Sequence, residues 1–165
     1  MEYGCWELFH TSHGRVRSLM ACSKSELEKM IQTQGKLNAA VISFHDLADD
    51  GLETSKVSKV KKCLEIAVDD LAYYDLNDYG FTYETYFPEA KEIAQFVKDI
   101  ADDDCDVICQ CSYGQSRSAG CAAAILEYFE HKGIQIFADF RFCPNQLIYN
   151  RVHDALLEGE EEYVY

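Results

Sequence analysis

Short apolar runs alternate with segments of helical periodicity along this chain, and that alternation constrains the fold most. Apolar runs of strand length lie at 39–44, 63–68 and 105–109. Helical spacing of apolar residues predicts helices at about 24–34, 84–101 and 118–131, and a last helix near the end of the chain. Strands that alternate with helices are typical of a mainly parallel sheet covered by helices. We predict an α/β fold with a central, mostly parallel sheet of four or five strands flanked by helices.

Several residues mark the ends of these predicted elements. Ser23 and Glu26 have the spacing of a capping box, so the first helix begins there, and Gly35 ends it. Pro144 suits the first turn of the last helix. The segment 71–83 is rich in Tyr, Asp, Asn and Gly, which predicts a loop. With 165 residues and no repeat or linker, the chain is expected to form a single domain, residues 1–165.

The charge balance limits the partners that this chain can bind. Acidic residues number 29 and basic residues 15, which gives a net charge of -14. Nucleic acid and anionic membrane surfaces are therefore not expected as partners. An anionic substrate is also repelled at long range, so a phosphate site must depend on a local arrangement of donors and cations.

Cysteine usage and the apolar runs predict a cytoplasmic protein. No apolar run approaches the roughly 20 residues needed to cross a bilayer, and the start of the chain lacks a secretory signal pattern. The eight cysteines include no C-x-x-C pair, and the histidines do not fall at ligand spacing around them. We expect neither a disulfide framework nor a metal or organic cofactor, while the oligomeric state stays open.

The segment 107–120 contains the strongest indication of chemistry. Cys111 follows a predicted strand, and Arg117, six positions later, begins a predicted helix, while Gly114 permits the backbone turn between them. Backbone N–H groups of such a loop, together with the helix start, form an anion site around the sulfur. The site is expected to use the following loop residues for phosphate: Ser112, Tyr113, Gly114, Gln115, Ser116 and Arg117.

Each of the reactive groups then has an expected role. The Arg117 guanidinium presents a planar fork that matches two phosphate oxygens. The positive surroundings favour the thiolate form of Cys111, which is the nucleophilic form. Ser118 can donate a hydrogen bond to that thiolate and help it to leave in a second step.

Residues Cys111 to Ser118, CSYGQSRS, resemble the active-site loop of the cysteine-dependent protein tyrosine and dual-specificity phosphatases. The small bacterial-type members, whose loop ends in Gly-x-Ser-Arg-Ser, are the nearest match. The resemblance runs from about residue 39 to the last helix, and the late position of the loop favours the dual-specificity branch. It implies hydrolysis of phosphate monoesters, with phosphotyrosine on protein as the expected substrate and a phosphocysteine intermediate on Cys111. The expected partner is thus a phosphorylated protein or a small phosphomonoester.

Two departures from that family keep other functions open. Gln110 occupies the position where the family usually has His, and Gln cannot carry a charge. The loop also lacks the lysines of a phosphoinositide-type pocket, so a highly charged inositol phosphate is not the expected substrate. The alternatives are a non-catalytic phosphate-binding pseudophosphatase or another thiolate enzyme, either a sulfurtransferase or an arsenate reductase.

The family implies an Asp general acid on a loop after a strand, and several aspartates compete for that role. Asp70 matches the position best, and Asp69 is the alternative. Asp75 and Asp78 lie further along the same loop, and Asp46 follows an earlier strand. With 29 acidic residues in the chain, most are expected to be solvated surface groups.

Two other features have a structural and a functional interpretation. Five tyrosines near the proposed acid loop can either line a slot for a phosphotyrosine ring or pack the loop down: Tyr73, Tyr74, Tyr79, Tyr83 and Tyr86. Cys109 can form a protective disulfide with Cys111 on oxidation, although a buried strand position is the favoured interpretation.

Overall fold

A five-stranded sheet forms the centre of the part of the chain that the computed structural model describes, residues 3–9 and 16–158. The strands are β1 (Gly4–Phe9), β2 (Val16–Ser23), β3 (Leu37–His45), β4 (Val60–Ala67) and β5 (Asp106–Cys111). Their order across the sheet is β1-β2-β5-β3-β4. Strand β1 is antiparallel to β2, and all other neighbouring pairs are parallel. The predicted mostly parallel sheet is confirmed.

Helices cover both faces of this sheet. They are α1 (Lys24–Gln34), α2 (Thr54–Val57), α3 (Ala90–Asp99), α4 (Arg117–Glu130), α5 (Ile134–Phe137) and α6 (Gln146–Leu157), with a short 3-10 helix at Tyr73–Asp75. Helix α1 buries Leu27 and Ile31 against one face, and helices α3, α4 and α6 pack on the other. Strand β3 is buried on both sides, which explains its continuous apolar run. Within the described residues, no helix combines the length and the apolar character that crossing a bilayer requires.

The parallel strands all point toward one edge of the sheet. Ser23, His45, Ala67 and Cys111 are the last residues of β2, β3, β4 and β5. The carboxyl ends of parallel strands in open α/β sheets are where ligands bind, because the loops that follow converge there. This edge therefore brings together chain segments that lie far apart in the sequence.

Two strands and the starts of two helices differ from the sequence prediction. Strands β1 and β2 precede every strand that the apolar pattern indicates. The helix expected from residue 84 begins at Ala90, because Phe87 has a positive φ of 61° just before Pro88, which helical geometry does not allow. Pro144 lies before the last helix and not in its first turn, since the Asn145 side chain accepts from the Ile148 N–H and caps the helix at Gln146.

The capping box of α1 gives a test of the predicted helix start. Ser23 Oγ accepts from the Glu26 N–H at 3.1 Å, and Glu26 Oε1 accepts from the Ser23 N–H at 2.9 Å. We expect Ser23→Ala to lower the free energy of unfolding by about 1 kcal/mol, because it leaves an N–H at the helix start unsatisfied. Urea denaturation measures this loss. The control Thr33→Ala changes an exposed side chain in the last turn of the same helix and should cost less than about 0.5 kcal/mol; equal losses would contradict the capping role.

Candidate active site

The loop that follows β5 curls back over the sulfur of Cys111. This cysteine is only 3% exposed. The Gly114 N–H donates to Cys111 Sγ at 3.3 Å, and Ser118 Oγ lies 3.1 Å from the same sulfur in a second hydrogen bond. The sulfur is thus held between the middle of the loop and the first turn of α4.

Gly114 is required at its position for two reasons. Its φ is 74°, in the left-handed region that favours glycine. A Cβ added there would lie 2.5 Å from the carbonyl carbon of Cys22 and would also overlap the backbone of Ser23. The loop therefore packs without a gap against the junction of β2 and α1, and this contact fixes its path over the sulfur.

Backbone donors of the loop are free to bind an anion. Within the described residues, the N–H groups of Tyr113, Gln115 and Ser116 donate to no other protein group. Helix α4 begins at Arg117 and adds the N–H groups and the positive dipole end of a helix start. Donors in this arrangement make the loop a candidate anion site beside the Cys111 sulfur.

Arg117 is buried, 5% exposed, and its guanidinium is partly anchored and partly free. Nη1 donates to Asp46 Oδ1 and to the Val68 carbonyl, both at 2.7 Å. Nε is buried and has no partner among the described residues. The anchored nitrogen holds the plane of the guanidinium, while the Nε edge stays available for two oxygens of a phosphate group.

Asp70 is hydrogen-bonded directly to the loop. Its Oδ1 accepts from Ser116 Oγ and from Asn145 Nδ2, both at 2.7 Å. Asn145 also donates to the Leu71 carbonyl at 2.9 Å and caps α6. The carboxylate is therefore held at the rim of the anion site by the loop on one side and by the start of α6 on the other.

The other candidate acids have different contacts. Asp69 Oδ1 accepts from the Leu47 N–H at 3.0 Å, and Asp75 Oδ2 accepts from the Ala72 N–H at 2.9 Å, where it caps the 3-10 helix. Asp78 is exposed in a turn. None of these three carboxylates bonds to loop residues 112–116 in the described contacts. The remaining candidate, Asp46, follows β3, and its Oδ1 accepts a hydrogen bond from Arg117 Nη1.

Gln110 and the neighbouring cysteines are buried around Cys111. Gln110 is 2% exposed, and its Oε1 accepts from Ser43 Oγ at 2.5 Å, which ties β5 to β3 with a neutral bond. A hydrogen bond with Cys121, together with burial, raises the pKa of the Cys109 thiol. Burial, with the nearby Glu26 carboxylate, raises the pKa of the Cys22 thiol. These two thiols are therefore neutral near pH 7, and Cys109 is a buried strand residue.

Asn145 and Asp46 are functional candidates whose contacts the sequence pattern does not indicate. Asn145 precedes an apolar helical stretch, which is an N-cap signal, but its second role toward Asp70 depends on tertiary contacts. Asp46 follows β3, and β3 is a neighbour of β5 in the sheet. The strand order therefore brings Asp46 close to Arg117, and the two side chains form an ion pair.

Some of the five tyrosines pack the loop down, and others are exposed and can contact a substrate ring. Tyr86 is buried, and Tyr83 stacks on Tyr73 with ring centroids 6.1 Å apart and planes 3° from parallel. These rings pack the loop down. Tyr74 and Tyr79 are 84% and 59% exposed. The loop is thus packed through Tyr73, Tyr83 and Tyr86, while Tyr74 and Tyr79 between them present exposed aromatic surface.

Comparison with known proteins identifies the fold. No protein-family model matches the chain, and no curated protein matches it. Among solved structures, DUSP15 aligns with a TM-score of 0.55 at 14% identity, over 87% of this chain and 86% of that chain. A human DUSP28 variant aligns with a TM-score of 0.55 at 13% identity, over 94% and 97%. PTPMT1 in complex with PI(5)P aligns with a TM-score of 0.52 at 12% identity, over 99% and 100%. This chain has the fold of the cysteine-based protein tyrosine and dual-specificity phosphatase superfamily.

Proposed function

We propose that this protein hydrolyses phosphate monoesters, with phosphotyrosine on protein as the best-fitting substrate, through a phosphocysteine intermediate on Cys111. The observation that carries the proposal is the pairing of a buried sulfur with unused donors. Cys111 Sγ lies under a loop whose N–H groups are free, next to Arg117, whose buried Nε has no partner in the described part of the chain. A phosphate group supplies the acceptors that these donors lack.

In the first step, the Cys111 thiolate attacks phosphorus, and the bond between phosphorus and the leaving oxygen breaks. Asp70, in its protonated form, gives a proton to that oxygen. The loop N–H groups and the free edge of Arg117 stabilise the charge on the remaining phosphate oxygens in the transition state. The products are the dephosphorylated alcohol or phenol and an S–P bond on Cys111.

In the second step, a water molecule attacks the phosphocysteine. Asp70, now a carboxylate, takes a proton from that water, the S–P bond breaks, and inorganic phosphate leaves. Ser118 Oγ lies 3.1 Å from the sulfur, and its hydroxyl donates a hydrogen bond to the sulfur once it departs as a thiolate. The enzyme returns to its starting state without a metal or a redox partner.

The burial of the site favours a long substrate side chain. Cys111 and Arg117 are 3% and 5% exposed, so the phosphate has to reach below the surface. A tyrosine ring extends further from its backbone than a serine or threonine side chain does. The loop carries one cation, Arg117, which suits a single phosphate group better than a polyphosphorylated one.

Asp70 supports the phosphatase over the other thiolate enzymes. A sulfurtransferase or an arsenate reductase needs no carboxylic acid at the rim of the anion site. Here the carboxylate is positioned by two hydrogen bonds of 2.7 Å. Gln110, held in a neutral bond to Ser43, keeps the pseudophosphatase as the second candidate, because it adds no positive charge near the sulfur.

Replacement of the nucleophile tests the covalent mechanism. We expect Cys111→Ser to lower the hydrolysis of p-nitrophenyl phosphate by about 1,000-fold or more, since a serine hydroxyl in this site is a far weaker nucleophile than a thiolate. Steady-state kinetics measure the loss, and phosphopeptide binding to the same variant shows whether the anion site is intact. The control Cys5→Ser changes an exposed cysteine on β1 and should keep wild-type rates. Equal rates for wild type and Cys111→Ser would overturn the mechanism, and binding without turnover in the wild type would support the pseudophosphatase.

A pair of matched substitutions tests the general acid. We expect Asp70→Asn to lower the turnover of phenyl phosphate by about 100-fold or more, because phenolate is a poor leaving group without a proton. The loss should be smaller for an aryl phosphate whose phenolate leaves easily. Asp69→Asn removes an equivalent charge from the neighbouring position, where the carboxylate bonds to Leu47, and should change turnover by less than about threefold. A larger loss in Asp69→Asn than in Asp70→Asn would assign the acid to the other residue.

A further inference from the structure

A cavity of about 430 Å³ opens beside the proposed active site. It lies between the chain segments 70–75 and 143–147, with Ser116 at the boundary. It shares Asp70 and Ser116 with the active site, whereas Cys111 and Arg117 do not line it. The cavity is therefore placed to receive a group next to the phosphate and not the phosphate itself.

Two tyrosines form an aromatic wall of this cavity. Tyr73 is fixed, since it stacks on Tyr83 and its hydroxyl accepts from Asn150 Nδ2 at 2.7 Å. Tyr74 also lines the cavity and is 84% exposed. A tyrosine face attracts a cation, and an arginine or lysine stem also packs well on it.

The ionisable side chains that line the cavity are acidic. Asp75 and Asp70 are among the lining residues, and no lysine, arginine or histidine is. Asp70 is protonated when substrate binds in the mechanism proposed above, so Asp75 supplies the negative charge. Asp70 Oδ1 is already used by two donors, but Asp75 uses only Oδ2 and leaves Oδ1 without a partner in the described contacts. Arg151 lies over the Tyr83 ring, one ring removed from the cavity, and does not line it.

Resting on the function proposed above, we propose that this cavity binds a lysine or arginine side chain close to the phosphorylated residue of a protein substrate. The cation stacks on Tyr74 and Tyr73, and Asp75 pairs with its charge. The substrate class is thus a singly phosphorylated, locally basic peptide. An acidic or doubly phosphorylated segment would meet like charges at the same rim.

Because the net charge is -14, the whole protein attracts basic peptides at long range. That general attraction has to be distinguished from binding of a cation in the cavity. Two phosphotyrosine peptides of equal length and equal net charge separate these effects. One carries two lysines directly beside the phosphotyrosine, and the other carries them at least six residues away. We expect kcat/KM to be about tenfold higher for the first peptide, the size that a cation–π contact and a partly exposed ion pair together provide.

Substitutions of residues that line the cavity give a second test, in which the ratio of kcat/KM between the two peptides is measured. Tyr74→Ala, which removes an exposed ring, and Asp75→Asn, which keeps an oxygen for the Ala72 N–H, should each bring the ratio between the two peptides toward one. Tyr79→Ala removes an exposed tyrosine that does not line the cavity and should keep the wild-type ratio. If Asp75→Asn fails to fold, the result with Tyr74→Ala decides the test, because Tyr74 is exposed.

Binding measurements separate this inference from the proposed function. Fluorescence anisotropy of both peptides with Cys111→Ser ranks their affinities without turnover, and the adjacent-lysine peptide should bind about tenfold more tightly. Equal kcat/KM and equal affinity for the two peptides would overturn the inference and leave the phosphatase proposal standing. The predicted ranking in binding, with no turnover of any phosphate ester by the wild type, would support the cavity and overturn the enzyme.

Discussion

Arg117 ties together the ends of three parallel strands, and the geometry of the site depends on that contact. The residue follows β5, its Nη1 donates to Asp46 after β3, and the same nitrogen donates to the Val68 carbonyl after β4. A buried guanidinium is costly unless it is paired and hydrogen-bonded, so this arrangement holds the cation in place. Among the described residues, these partners take Nη1 and leave Nε without one. The capacity of the proposed site to bind an anion thus depends on an unused edge of a buried cation.

Much of the fold could be predicted because local pattern and tertiary structure agree. The run at 39–44 is continuous since β3 is covered on both faces, and Ser23 and Glu26 form the capping box that their spacing indicates. Strand β2 could not be predicted in the same way because it contains Arg17, a charge that the pattern assigns to the surface. Arg17 is 3% exposed and donates to the carbonyls of Ile100 and Asp103, contacts that only the assembled fold provides.

The same distinction applies to the site. The loop from Cys111 to Ser118 could be read from the sequence, since its donors, its turn and its cation lie within eight residues. The proposed acid could only be narrowed to neighbouring aspartates, because Asp69 and Asp70 look alike until the contacts with Leu47 and Asn145 are known. Asn145 combines a cap, which is local, with a bond to Asp70 across 75 positions, which is not. Long-range hydrogen bonds of this kind leave no periodic trace in a sequence.

The absence of a side chain at Gly114 determines how closely the loop can approach the end of β2. The loop touches the backbone of β2 and α1 there, and no space is left for a larger residue. One extra methyl group would push the loop away from the strand end while every reactive side chain stayed chemically intact. The geometry of the proposed site therefore depends on the absence of a Cβ at position 114 as much as on the sulfur, the guanidinium and the carboxylate around the loop.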